Sequence, residues 1–372
     1  MESSSELYDV LAERLVGGVV FVSILMVIGC AGNLIVLLVY TFRMKASNHR
    51  IFIVFLGLLD FLASSIAMPF TVVTFRQPEI LRKTPTCKLY WFANYFICSA
   101  SGLALLVIAI ERYRKICVPL GWQMTRRTAI LSCFIVLLVT TVSSWPVLIL
   151  IGTTTNLTST PRITDSICAT EEKENYDMYQ IYYHGGLTLL VGPCFVALVV
   201  LYGLVWRVVR KYNAQKQDRY KFIAADGSSV SDRKTSLTSV RSTDKANDIS
   251  YIQEMTSSDD KQSKRISSKA ETNTRKKFNV VKKTTIAFLL ITAIFFISYI
   301  PYLILTILIY SNTISGLTSS GVVFVNIIRF TPYINNIANV FIYGCFDVQF
   351  RREIKSVYNK VTCYKILRLT QT

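Results

Sequence analysis

Seven times along its 372 residues this sequence stays apolar for longer than roughly eighteen positions, the length at which a helix crosses a bilayer core. The runs fall near 15–42, 51–75, 89–110, 129–151, 178–209, 284–310 and 321–345. Most are apolar on all sides rather than along one stripe, which excludes the surface helices of a soluble protein. The expectation is an all-α membrane protein: a bundle of seven helices over 15–346, with termini on opposite faces. Residues 1–14 form one terminus, polar and acidic, with no cleavable leader expected before the first span. Residues 347–372 form the other, opening with a short amphipathic helix.

Charge sets the direction. Of the 41 Lys and Arg residues, 33 lie in the 43–50, 111–128 and 207–283 segments and in the tail after Cys345, all on one face. Such an excess marks the cytoplasmic side, so the N-terminus is expected outside. The net charge of +18 then describes a surface beside anionic lipid and implies no nucleic-acid partner. Trp91, Trp122, Trp145 and Trp206 sit near span ends, as interfacial anchors do.

The 211–277 segment, rich in Ser, Thr, Lys and Asp, reads as a disordered third cytoplasmic loop. It places Thr235, Ser236, Ser267 and Ser268 beside basic residues as candidate phosphorylation sites. Nine cysteines do not amount to a disulfide framework in a membrane protein. Cys30, Cys98, Cys117, Cys133, Cys194 and Cys345 read as small apolar packers, and Cys363 as a palmitoylation candidate. Cys87 and Cys168 differ, since both fall on the outer, oxidising side. Asn156-Leu157-Thr158 is a glycosylation sequon on the same side.

In the third span, no charge separates Lys88 from Glu111, and the 25 residues from Cys87 to Arg112 reach roughly 37 Å as a helix. Around that spacing other motifs fall in order: Gly32-Asn33; Leu58-Leu59-Asp60 and Pro69; Cys87 and Glu111-Arg112-Tyr113; Cys168; Pro193; Phe295 with Pro301-Tyr302; Asn339-Val340-Phe341-Ile342-Tyr343. Together they resemble the rhodopsin-like (class A) G-protein-coupled receptors, most closely the invertebrate neuropeptide-receptor branch, over all seven spans. The resemblance implies a multi-pass plasma-membrane receptor with an extracellular N-terminus and no enzymatic activity. Its partners would be an extracellular ligand, a heterotrimeric G-protein, arrestin, receptor kinases and membrane lipid. It implies a Cys87–Cys168 disulfide, an allosteric sodium ion held by Asp60, Ser101, Asn335 and Asn339 as the only non-protein group, and coupling through Glu111, Arg112, Tyr113, Tyr202, Asn339 and Tyr343. On activation Arg112 would swing into a cavity opened by outward movement of span six.

Several positions depart from the family pattern. Span six reads Ser298-Tyr299-Ile300-Pro301, with tyrosine where the family has tryptophan. Span seven has Val340 in place of a helix-loosening proline, and span four lacks a central Trp. The inner end of span six carries Lys282 and Lys283 but no acid, so an ionic lock to Arg112 is not expected.

The residues themselves say more. A carboxylate at membrane depth, Asp60, is costly unless paired and marks function or a structural hydrogen bond. On span three, Asn94, Cys98, Ser101, Leu105 and Arg112 share one face of about 80°. Asn94 cannot pair with an ammonium, which argues against a monoamine ligand. Tyr90, Trp91, Tyr95, Tyr182, Tyr183, His184, Tyr299 and Tyr302 would line an aromatic outer cavity. The outer loop carries Glu171, Glu172, Glu174 and Asp177, an acidic mouth for a basic peptide. The alternative ligand is a small organic anion or nucleotide held by Arg329, which at 100° per residue shares a face of about 80° with Asn326, Tyr333 and Asn336. The expected binding set is therefore Asn94, Tyr95, Cys98, Tyr183, Tyr299, Tyr302, Arg329 and Tyr333. Span seven has no lysine for a retinal Schiff base, no inverted repeat suggests a transporter, and two histidines, His49 and His184, on opposite faces build no metal or nucleophile site.

Overall fold

The computed structural model describes residues 2–76, 84–157, 164–170, 176–233, 282–305, 307–308 and 319–369. Helix α1 covers Glu2–Phe42; α2 covers Asn48–Leu62 and continues through a π-turn, Ala63–Ala67, into α3, Met68–Arg76. Next come α4 (Thr84–Cys117), α5 (Arg126–Ser144) and the short α6 (Val147–Leu150). A hairpin of β1 (Ile151–Leu157) and β2 (Thr164–Thr170) precedes α7 (Tyr176–Arg233). Then follow α8 (Lys282–Leu305), α9 (Ser319–Arg329), α10 (Tyr333–Phe346) and α11 (Val348–Leu369). Among the described residues, six helices are long and apolar enough to cross a membrane. The seventh span is present as α9 and α10, each too short alone, because Pro332 follows a break at Phe330 and Thr331.

Local chemistry explains the other boundaries. Ser47 and Thr125 cap α2 and α5 by accepting from the backbone N–H of Arg50 and Thr128. Pro69 lacks the N–H for an ordinary turn, and in the widened turn before it the Met68 N–H reaches back five residues to Ala63. Asp347 breaks the helix after span seven and caps α11, accepting from the N–H groups of Gln349 at 2.8 Å and Phe350 at 3.1 Å. The β-branched Thr153-Thr154-Thr155 and Ile167 favour the antiparallel hairpin, with Thr153 opposite Cys168 and Asn156 opposite Asp165. It is the one non-helical element among the described residues.

Two helices run beyond their apolar stretches. That of span five continues past Gly185–Gln215 through Arg233, into the 211–277 segment. Lys, Gln, Ala and Arg alternate there with Asp, Ser and Gly, and no proline interrupts it. The first helix begins at Glu2, ahead of its apolar stretch Val16–Phe42. The remainder of the 211–277 loop lies outside the described residues.

The core sits between α1, α2, α4, α8 and α10, around Tyr40, Phe52, Leu56, Leu105, Ile108, Phe288 and Tyr343. Span one packs on both halves of span seven. A methyl group on Gly32 would meet Val340 at 2.9 Å, so the side chain at this position of α10 seats itself against bare backbone. Exposed side chains around the bundle are chiefly Leu, Ile, Val and Phe, the surface a hydrocarbon solvent requires.

Candidate functional site

The bundle has two chemically distinct ends, marked by Cys87 and Arg112, joined by the unbroken α4. On the span-three face, Asn94 and Cys98 are half-buried, and Ser101, Leu105 and Arg112 are buried.

At the Cys87 end a polar network ties three spans together. Asn94 donates from its amide nitrogen to the Tyr90 carbonyl at 2.8 Å and accepts from the Tyr333 hydroxyl at 3.1 Å. The Thr71 hydroxyl shares a hydrogen bond with Tyr333 at 2.8 Å and lies 3.3 Å from the Tyr90 hydroxyl. Rings then run from Tyr90 to Trp91 at 5.8 Å, Trp91 to Tyr95 at 6.2 Å and Tyr95 to Tyr183 at 6.3 Å. Tyr183 donates to the Ser143 carbonyl at 3.0 Å, whereas Tyr182 is 65% exposed. Tyr299 meets the Cys98 thiol, and Tyr302 is half-buried within electrostatic reach of Tyr90 and Tyr333. The side chain of His184 and residues 171–175 lie outside the described residues.

Arg329 corrects the sequence reading of span seven. It ends α9, and the break that follows interrupts the 100° progression linking it to Tyr333 and Asn336. Asn326, Tyr333 and Asn336 are buried while Arg329 is exposed, within electrostatic reach of Tyr90. Among the described residues it makes no hydrogen bond or ion pair. Cys87 is buried and disulfide-bonded, at the end of α4 against which β1 packs. The side chains of Cys168, Asn156 and Cys363 lie outside the described residues, although their backbones fall in β2, β1 and α11.

Midway down, Asp60 is fully buried and accepts from the Asn339 amide at 2.6 Å. Its other carboxylate oxygen has no partner, nor do Ser101 Oγ, Asn335 Oδ1 and Asn339 Oδ1, all buried. The free carboxylate oxygen and three further orphaned oxygens, one of them on its partner Asn339, suit a small hard cation of single charge. Among the described residues no cluster of three His, Cys, Asp or Glu side chains suits a transition metal. The buried Tyr343 hydroxyl is also without a hydrogen bond and lies within electrostatic reach of Asp60.

At the Arg112 end, Arg112 and Glu111 are 2% and 1% exposed. Arg112 Nε lies 2.7 Å from Glu111 Oε2 without the alignment of a directed hydrogen bond, and Lys115 Nζ lies 2.5 Å from Glu111 Oε1. The guanidinium sits over the Phe288 ring, 5.2 Å from its centroid. Tyr202 donates to the Phe288 carbonyl at 3.5 Å and accepts from Thr292 at 3.2 Å. Tyr113 packs with Ile116, Val205 and Val209 between spans three and five. Lys282 donates to the Asn213 side chain, joining spans five and six.

Three features here escaped the sequence. Phe288 carried no motif. His49, counted only against an enzyme, approaches Asp347 Oδ2 at 3.5 Å, and Tyr40 donates to the same oxygen at 2.6 Å. Leu120 is fully exposed on a loop braced by Arg114, whose guanidinium donates to the Trp122 carbonyl, and by Gln123, whose amide donates to the Val118 carbonyl.

Comparison with known proteins gives these ends a setting. Residues 32–343 match the 7 transmembrane receptor (rhodopsin family). The neuropeptide Y receptor type 6 of Mus musculus is 31% identical over 103 residues, 27% of this chain and 28% of that one. The galanin-like G-protein coupled receptor npr-9 of Caenorhabditis elegans is 25% identical over 37% of this chain and 34% of its own length. The growth hormone secretagogue receptor type 1 of Mus musculus is 27% identical over 62% of each. The chain thus spans less than two thirds of the length of these relatives. The crystal structure of squid rhodopsin superposes with a TM-score of 0.62 over 94% of this chain and 87% of that one, at 18% identity, which speaks to the fold alone.

Proposed function

The chain belongs to the rhodopsin family of seven-transmembrane receptors, and from that premise we propose that it is a plasma-membrane receptor, N-terminus outside, that binds an extracellular peptide and activates heterotrimeric G-proteins. The observation that carries the coupling half is the Arg112 end: a guanidinium buried beside Glu111 and roofed by Phe288 of span six. A buried charge with so few directed hydrogen bonds is poised to leave for a better-solvated cavity. Outward movement of span six would remove the Phe288 roof, and the opened space is where a G-protein would dock.

The peptide half draws on relatives named for neuropeptide Y and galanin, and on the tyrosine-lined cavity at the Cys87 end. Tyr95, Tyr183, Tyr299, Tyr302 and Tyr333 offer apolar faces with polar tips, suited to amide-rich ligands. Arg329 supplies an exposed cation in reach of Tyr90, a partner for a peptide carboxylate or amide carbonyl. Asp60, Ser101, Asn335 and Asn339 would hold a sodium ion, which would neutralise the buried carboxylate. The proposed disulfide joins Cys87 to Cys168, Asn156 would carry the outer glycan, and Cys363 a palmitoyl chain.

The test is a peptide and metabolite screen on cells expressing the chain with several G-protein reporters, repeated with Arg112→Ala. A peptide response lost in the variant while binding persists supports the proposal, since Asn94 and Arg112 stand about 27 Å apart on one helix. Responses confined to small organic anions or nucleotides would replace the peptide reading with the anion one. Loss of binding and signalling together would withdraw the role given to Arg112.

A further inference from the structure

We infer that Phe288 is the residue that positions Arg112 and holds span six closed, clamped between the Arg112 guanidinium and the His49 imidazole. The inference rests on the G-protein reading above and extends it to a specific contact. Span six offers no acid at its inner end, so the attraction that keeps it against span three must come from elsewhere. Phe288 is fully buried there. One side meets the guanidinium at 5.2 Å from the ring centroid, where the negative face of the quadrupole attracts a cation. His49 packs at 5.5 Å with planes 85° apart, an edge-to-face contact.

Each jaw of this clamp is itself held. Arg112 is drawn to Glu111, whose second oxygen is occupied by Lys115, so Glu111 alone is an incomplete counter-charge. His49 faces Asp347, which also accepts from Tyr40 and caps α11. Tyr40 in turn stacks on Phe350 of α11 at 5.4 Å. Phe288 itself is fixed along its helix, since its carbonyl accepts from Thr292 at 3.0 Å and from Tyr202 of span five at 3.5 Å. Spans two and three therefore meet on one ring of span six, with span five on its carbonyl and span one and the helix after span seven bracing His49 from behind. Moving span six outward strips the guanidinium of its aromatic partner and the imidazole of its wall at the same moment. A desolvated cation–π contact acts only at short range, which gives the closed state a sharp release rather than a gradual one.

The test uses the full chain in lipid nanodiscs with purified heterotrimeric G-proteins and no ligand. Phe288→Leu keeps an apolar side chain but removes the π face, and should raise ligand-independent nucleotide exchange by about threefold to tenfold. Phe288→Tyr and Phe288→Trp should return it to the wild-type level. Phe52→Leu, a like change in the same core without a cation over the ring, should leave it unchanged. In parallel, spin labels carried on unnatural residues at the exposed positions 127 and 283 report the separation of spans four and six without any G-protein. Longer distances in Phe288→Leu, reversed in Phe288→Trp, support the clamp even if no G-protein responds, in which case only the coupling reading falls. Unchanged distances in Phe288→Leu, or equal opening in Phe52→Leu, would overturn it.

Discussion

The Thr331 hydroxyl, in the break of span seven, lies 2.8 Å from the Ser298 carbonyl oxygen of span six and 2.8 Å from the Ile328 carbonyl oxygen of its own span. One proton serves two acceptors. Both belong to turns opened by proline: Pro332 has no N–H to offer Ile328, and Pro301 loosens the turn that contains Ser298. Thr331 therefore stitches two helix breaks together just below Arg329.

Thr331→Val keeps the shape and deletes the proton. A net hydrogen bond contributes about 1 kcal/mol, so the purified protein should lose a few degrees of thermal stability, and Thr331→Ser should recover it. Indistinguishable melting of the valine variant would show that the stitch contributes nothing.

Non-reduced peptide mapping should return Cys87 and Cys168 as a linked pair, tethering the hairpin to α4. Two free thiols, or Cys87 joined elsewhere, would contradict it. The same preparation should show a glycan on Asn156 when made in a eukaryotic host. A 153–170 loop reachable from the cytoplasm would reverse the orientation.

Asp60→Asn should abolish the gain in thermal stability that NaCl gives over choline chloride, because it removes the charge around which the orphaned oxygens of Ser101, Asn335 and Asn339 gather. A sodium effect that survives the substitution would leave Asp60 as a hydrogen-bonding residue and nothing more.

Asp347 predicts an acid-sensitive link between the bundle and α11. Burial alone would raise its carboxyl, but hydrogen bonds from His49, Tyr40 and the Phe350 N–H outweigh it and bring the pKa from 3.8 down to about 2. With a depressed folded-state pKa, the stabilisation is present above about 4 and is lost as pH falls toward 2. Melting in detergent should fall between pH 4 and 2 more steeply in the wild type than in Asp347→Asn. Parallel curves would remove Asp347 from the account.

How much of this was written in the sequence depends on which residues need distant partners. The spans were legible because hydrocarbon demands long apolar helices whatever their neighbours. The span-three face was legible because α4 is unbroken, so 100° per residue carries from Asn94 to Arg112. The same arithmetic failed on span seven, where Pro332 resets the phase between Arg329 and Tyr333. Phe288 and His49 were invisible for another reason: an aromatic in an apolar run and a lone histidine gain meaning only when three helices bring them to one guanidinium.

Arg329 carries the last prediction. It closes α9, exposed and without a hydrogen bond or ion pair among the described residues, yet within electrostatic reach of Tyr90. A bare guanidinium against lipid would be expensive, so the exposed side must face water and ligand. A planar fork can give two parallel hydrogen bonds to a carboxylate or amide oxygen, whereas an ammonium gives a point charge. Arg329→Lys should therefore weaken the potency of the activating peptide by about tenfold or more, within the roughly 1–3 kcal/mol of a charge-assisted bond, while surface expression and ligand-independent exchange stay at wild-type levels. Loss of potency that lysine restores in full would mean charge alone matters there. Wild-type potency in both Arg329→Lys and Arg329→Ala would take Arg329 out of the binding site and return the ligand's chemistry to open question.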